Sequence, residues 1–202
     1  MLSSPFITIK DDLTAATYYG GNQAWFSGKT AKDYGCGVIA FANCVFTKES
    51  KEKTISKKEY MELADNLRKK YFPIIPGFGI NGIELAVGAN LFFRKKRMPY
   101  RARWGVMPGN LWHSVSRMLK KGWPVLLAIG PNNNLLTGKK AVHMSGTKDD
   151  SAIAHYVTIT DMDERTITVS SWGNKYTIDK KEYETYIKKV SNPLFSNILY
   201  IK

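Results

Sequence analysis

The hydrophobic pattern of the chain changes at Trp123, and this change limits the folds that the sequence can adopt. Before Trp123, apolar residues recur near helical spacing, as in the segment 56–72. After it, short apolar or alternating runs such as IAHYVTIT are separated by turn residues. Helices followed by antiparallel strands are typical of an α+β fold. We therefore expect one domain with a helical half over about residues 1–122 and a β half over about residues 123–202.

The same patterns predict the individual elements. Ser56 followed by Glu59 is a capping-box start for the helix over 56–72. We expect helices over 36–47, 56–72, 82–96, 110–122 and around 180–190, and strands over 123–130, 153–160, 166–173, 175–179 and 196–202. The polar segment 131–150 is predicted to be a mobile loop that can act as a lid.

Basic residues dominate the charge of this 202-residue chain, which has a net charge of +13. The largest cluster is RKKRMPYRAR, residues 94–103. It predicts a contact surface for phosphates, acidic lipids or an acidic partner, or else a solvated helix end. Because no zinc-knuckle spacing, glycine-rich phosphate loop or recognition-helix pattern accompanies it, nucleic acid is a secondary interpretation.

No apolar run is long enough to predict a membrane span, and the first residues lack the features of a signal peptide. We therefore expect a cytoplasmic monomer without a membrane span. Cys36 and Cys44 lie on one predicted helix, about 12 Å apart, whereas a disulfide needs Cα atoms within about 7 Å. Both are predicted to be free thiols, which suits a reducing compartment.

Cys36 stands between Gly35 and Gly37 at the start of a predicted helix. A thiol in the first helical turn faces unpaired backbone N–H groups, which lower its pKa and can bind a developing oxyanion. The two glycines would let a substrate backbone approach closely. Cys36 is therefore a candidate nucleophile, with a small buried core residue as the alternative. Cys44, two turns further along the helix, is predicted to pack in the core.

A cysteine nucleophile needs a base, and the chain has three histidines. His113 lies inside a predicted helix and His143 in the polar segment, so structural or surface roles are expected for both. His155 begins the alternating run HYVTITD, where the sheet would hold it at the point at which a cleft can open. On the next strand, alternation places Ser171 on the same face as His155, or Ser170 if the register slips.

The chain resembles papain-like cysteine peptidases in the order of these residues: Gln23, a cysteine that opens a helix, a histidine that opens a strand, and a polar residue before Trp-Gly. The segments GCGVIAFAN and HYVTITD are similar to those of the bacterial peptidases that process bacteriocin leaders. The resemblance covers roughly residues 20–47 and 123–173. It implies a papain-like fold, with the active-site cleft between a helical half and an antiparallel sheet.

The resemblance implies Cys36 as the nucleophile, His155 as the general base and acid, and a peptide or protein as the substrate. Gln23 would donate to the oxyanion together with the Cys36 backbone N–H, and Trp172 would shield the histidine from water. The third position is serine, and counting back from Trp172 indicates Ser170 rather than Ser171. No metal or other cofactor is implied. The alternatives are acyl transfer or deamidation, a non-catalytic binding module of this fold, and an anion-binding protein that uses residues 94–103.

Overall fold

The computed structural model describes residue 2, residues 5–132 and residues 140–202. Their helices are α1 (Lys29–Tyr34), α2 (Cys36–Glu49), α3 (Lys57–Lys70), α4 (Gly82–Lys95), α5 (Leu111–Lys120) and α6 (Lys180–Lys189). The strands are β1 (Thr8–Lys10), β2 (Thr17–Tyr19), β3 (Thr54–Ser56), β4 (Ala102–Trp104), β5 (Val125–Ile129), β6 (Val142–Gly146), β7 (Asp150–Ala152), β8 (His155–Met162), β9 (Thr166–Ser171), β10 (Asn174–Asp179) and β11 (Leu199–Ile201).

The largest sheet has six antiparallel strands in the order β5-β8-β9-β10-β6-β7. A small sheet of order β2-β1-β3 and the pair β11-β4 accompany it. Helices from the first half pack against the large sheet, as the change of pattern at Trp123 predicts. The structure is therefore an α+β fold.

Helix α2 is the central helix of the fold. Its residues from Gly37 to Val45 are all buried, and it packs against β8, β5 and α3. A helix that is buried on nearly every side belongs in a protein interior. The burial fixes the first turn of α2, and with it Cys36, against the first residues of β8.

One hydrophobic core joins the helical half to the β half. Phe41 of α2 and Phe93 of α4 belong to the same buried cluster as Val157 of β8 and Ile167 of β9. Close aromatic packing, with ring centroids of Phe41 and Phe72 4.9 Å apart, fills the space between the helices. The helical half and the β half thus share one core.

The sequence prediction was wrong for the polar segment 131–150. Within it, β6 extends the large sheet and pairs with β7, which begins at Asp150, whereas residues 133–139 lie outside the described residues. Buried Val142 and Met144 flank exposed His143, a period-two alternation that the many polar residues obscure. The short strands β1 to β4 were also missed, since three residues are too few for a clear pattern.

Within the described ranges, no helix combines the length and the hydrophobicity that crossing a bilayer requires.

Candidate active site

Four separate segments meet in a narrow cleft at the first turn of α2. Its lining includes Gln23, Cys36, His155, Ser171 and Trp172. Ser170 also lines it, so every residue that the sequence suggested for the catalytic group lies in one place. The cleft has room for about one water-sized sphere, about 10 Å³.

The imidazole of His155 is held on two sides. Its Nε2 lies 2.8 Å from Ser171 Oγ, and the Trp172 indole stacks on the ring with centroids 4.5 Å apart and planes 21° apart. His155 is only 8% exposed. Because Nε2 is paired with Ser171, Nδ1 is the ring nitrogen left to exchange a proton with a thiol.

The structure distinguishes the two serines at the end of β9. Ser170 Oγ donates to the Tyr19 carbonyl at 2.6 Å and so ties β9 to β2. Ser171 faces the other way, as alternate residues of a strand do, and pairs with His155. The two hydroxyl groups therefore have different partners.

Trp172 and Gly173 form the two-residue turn between β9 and β10. Both have positive φ, 49° for Trp172 and 77° for Gly173, as a type I′ hairpin turn requires. This conformation is uncommon for a bulky residue and is maintained by the surroundings. Asn22 Nδ2 donates to the Trp172 carbonyl at 3.0 Å, and Gly173 N–H donates to the Gly21 carbonyl at 3.0 Å. The segment before Gln23 thus clamps the turn and aligns the indole with His155.

Burial favours the uncharged forms of Cys36 and His155. It lowers the pKa of His155 to about 4, with the negative charge of Asp150 acting in the opposite direction. It also raises the pKa of the Cys36 thiol, although backbone N–H groups of Tyr156, Gly37 and Cys36 itself offset part of this effect. The first-turn position was expected to lower the Cys36 pKa, but desolvation outweighs it. Both shifts favour the neutral forms at neutral pH, a thiol at Cys36 and an uncharged imidazole at His155.

Gln23 reaches the cleft because the chain between it and Cys36 folds back on itself. A short 3₁₀ helix, Gln23–Trp25, is followed by α1, which ends next to Cys36. Gln23 Nε2 donates to the carbonyls of Lys32 at 2.7 Å and Asp33 at 3.2 Å, in the last turn of α1. Its amide thus satisfies carbonyls that a helix end leaves unpaired. Its role as an oxyanion donor remains a prediction that requires one of these bonds to be released.

The two glycines beside Cys36 face the protein interior. A Cβ atom on Gly35 would lie 2.3 Å from the Ala31 carbonyl oxygen, and one on Gly37 would lie 3.2 Å from the Tyr156 ring. Close packing accounts for both glycines, and their suggested contact with substrate remains a prediction. Cys44, as a packing residue should be, is buried, with its thiol donating to the Pro124 carbonyl at 3.3 Å.

Asn43 is the residue of the cleft that sequence reasoning missed. It is 1% exposed, two turns along α2 from Cys36. Its Oδ1 accepts from Gly21 N–H at 2.9 Å and from the Tyr60 hydroxyl at 2.8 Å, while Nδ2 donates to Thr158 Oγ1 at 3.1 Å. Asn43 therefore ties three segments around the site to α2. The available signal was a lone amide within the apolar run VIAFANCVF.

A wider groove of about 600 Å³ adjoins His155 and Tyr156. Apolar side chains form most of its wall, and they include Ile75, Phe78, Ile80, Ile129 and Phe195. The Tyr156 hydroxyl donates to the Ile80 carbonyl at 3.0 Å and connects this wall to β8. A groove of this volume and lining suits an extended chain with an apolar side chain.

Comparison with protein-family models gives no match, and neither curated proteins nor solved structures give one. Within the part of the chain that the structure describes, no group of three or more His, Cys, Asp or Glu side chains is arranged to hold a metal ion. The geometry of the cleft is therefore the basis on which a function can be inferred.

Proposed function

We propose that this protein is a cysteine-dependent amide hydrolase of papain-like fold, most simply a peptidase, with Cys36 as nucleophile and His155 as general base. The observation that carries the proposal is the environment of His155. Its ring is buried, pairs with Ser171 at 2.8 Å and is covered by Trp172, and it shares one cleft with a cysteine in the first turn of α2. A buried histidine with only a packing role would also need a hydrogen-bond partner, so it is the first-turn cysteine in the same cleft that favours a catalytic role.

In the proposed reaction the resting pair is neutral. His155 Nδ1 accepts the thiol proton as Cys36 Sγ attacks the substrate carbonyl, and the backbone N–H groups at the start of α2 stabilise the oxyanion. The intermediate collapses to a thioester when His155 gives its proton to the leaving amine. Water then attacks the thioester with His155 as base, and release of the acid restores the thiol.

Ser171 would set the tautomer that this reaction needs. If Nε2–H donates to Ser171 Oγ, the Nδ1 lone pair is available as the base. A hydroxyl can also donate to Nε2, and that arrangement would put the proton on Nδ1. Because serine fixes the tautomer less firmly than a carboxylate and stabilises imidazolium less, we expect slow turnover.

The wide groove next to His155 supports a substrate that carries an apolar side chain close to the scissile bond. Acyl transfer or side-chain deamidation would proceed through the same thioester. These reactions differ from hydrolysis only in the acceptor or in the amide that enters the cleft.

Two observations favour a second candidate, a non-catalytic binding module of the same fold. The Gln23 amide is engaged by the carbonyls of Lys32 and Asp33, and burial opposes a charged thiolate–imidazolium pair. In this alternative the groove would hold an apolar peptide without cleaving it.

Incubation with a defined mixture of unstructured peptides, analysed by mass spectrometry, separates the candidates. We expect the wild type to cleave peptides beside apolar residues, Cys36→Ala to be inactive, and Cys44→Ala, the matched thiol control, to retain cleavage. Cleavage that persists in Cys36→Ala would refute the proposed nucleophile. Peptide binding by the wild type without any turnover would favour the binding module.

A further inference from the structure

Helix α4 carries an exposed apolar stripe that nothing in the proposed reaction uses. Ile83, Val87 and Leu91 follow the spacing i, i+4 and i+8, which places them on one face. They are 62%, 55% and 46% exposed. Just before α4, Phe78 is 88% exposed in a turn between Gly77 and Gly79, both of which have positive φ. These four residues, here called the α4 ridge, are exposed to solvent, and Phe78 also belongs to the wall of the wide groove beside His155.

The far end of α4 contributes to a basic hollow of about 530 Å³, where it meets the end of α3. Lys70 and Tyr71 come from the α3 side, and Leu91, Arg94, Lys95 and Arg97 from the α4 side. Leu91 thus belongs to both the α4 ridge and the basic hollow. Positive charge at a helix C-terminus complements the helix dipole, and here the ends of two helices bring such cations together in one hollow.

The cations of the basic hollow have no ion-pair partner within the described part of the chain. Over the described residues, Lys70, Arg94, Lys95 and Arg97 form no ion pair with a carboxylate. The lysine and arginine excess gives the whole chain a net charge of +13. Complementary negative charge must therefore come from another molecule if this face is to be neutralised.

We propose that the α4 ridge and the basic hollow together form a docking surface for an anionic lipid bilayer. Exposed apolar side chains would enter the headgroup region while the cations contact lipid phosphates. The N-terminal end of α4 reaches the groove beside His155 through Gly82 and Glu84, and α4 is about 21 Å long. Docking would therefore hold that groove close to the membrane surface. The proposal concerns binding alone and does not depend on catalysis.

A bilayer fits this face better than nucleic acid does. Phosphate backbones require cations, but the aliphatic stripe of Ile83, Val87 and Leu91 gives bases no stacking or hydrogen-bonding partner, and Phe78 offers a single ring. An exposed ridge with Phe78 at a turn also suits a soft, flat surface better than a rigid groove. The apolar and basic parts are both explained only if a single partner is anionic and apolar beneath its surface.

Co-sedimentation with phosphatidylcholine vesicles, with and without phosphatidylserine, tests the proposal. We expect binding to the anionic vesicles, weakened by salt, and little binding to the neutral ones. A variant with both Arg94→Gln and Lys95→Gln should bind the anionic vesicles about 30-fold more weakly, from the loss of two surface cations. Phe78→Ser should weaken binding about tenfold without changing the net charge.

The matched control carries Lys181→Gln and Lys188→Gln, two exposed lysines of α6, which packs on β10 and β6. It removes the same charge and should bind the anionic vesicles almost as the wild type does. Circular dichroism would confirm that each variant is folded. Equal losses in the two double variants, or wild-type binding that ignores phosphatidylserine, would overturn the proposal. The proposal would also be overturned if the protein bound duplex DNA through Arg94 and Lys95 and did not bind the vesicles.

Discussion

Replacing His155 by glutamine should make the protein less sensitive to acid. The ordinary pKa of histidine is 6.5, and burial lowers that of His155 to about 4 in the folded protein. Between these values the unfolded chain binds a proton that the folded state does not, so stability falls as the pH falls from 6.5 through 4. His155→Gln removes the group that binds this proton in the unfolded chain, and with it the associated loss of stability.

The magnitude follows from the size of the shift. A difference of about 2.5 pKa units corresponds to about 3 kcal/mol at 1.36 kcal/mol per unit. Nearly all of this free energy is lost between pH 7 and pH 4. The carboxylates whose pKa values are lowered by hydrogen bonds, such as Asp163 and Asp179, titrate in wild type and variant alike and cancel in the comparison.

Urea unfolding at pH 7 and pH 4 measures the effect. Over this interval the free energy of unfolding of the wild type should fall by about 3 kcal/mol more than that of His155→Gln. His113→Gln, at an exposed histidine of α5, is the control and should behave as the wild type does. Equal acid sensitivity in wild type and His155→Gln would refute the argument that His155 is buried in its neutral form.

Four further substitutions test the surroundings of the site. Ser171→Ala and Ser170→Ala should each cost about 1 kcal/mol of stability, because both hydroxyl groups are buried and hydrogen-bonded. Only Ser171→Ala should also lower the rate of the proposed hydrolysis, about tenfold; a rate loss in Ser170→Ala alone would exchange their roles. Asn43→Ala should cost about 3 kcal/mol in urea unfolding because it leaves buried partners unpaired, and an unchanged midpoint would contradict this. Trp172→Ala should raise the pKa of His155 toward 6.5 in an NMR titration, since solvent would reach the ring; a value still near 4 would show that other groups bury it.

The sequence predicted the elements whose patterns are long. Helices α2 to α5 and strands β8 to β10 were expected at about the residues where they occur, because each has several residues of clear periodicity. The strands β6 and β7 were not, since polar residues on their exposed face resemble a loop. Alternation along β9 indicated Ser171 and counting back from Trp172 indicated Ser170, so the sequence left both open; the structure pairs His155 with Ser171.

What the sequence could not give were properties that depend on the complete packing. The pKa of Cys36 is raised and that of His155 is lowered because segments distant in the chain bury both residues. From the sequence, the position of Cys36 at the start of its helix indicated only the effect of the helix dipole, which lowers the pKa of a thiol. The engagement of the Gln23 amide depends on where α1 ends, and α1 was not predicted. The bonds of Asn43 likewise join residues that are far apart in sequence.

The central claim is that His155 is the base for the Cys36 thiol. Alkylation by iodoacetamide at neutral pH, resolved by residue with peptide mass spectrometry, tests it in wild type and His155→Ala. We predict that Cys36 is alkylated while buried Cys44 is not, and that the rate at Cys36 falls about tenfold or more in His155→Ala. An unchanged rate at Cys36 in that variant, or alkylation of Cys44 as fast as Cys36, would contradict the account.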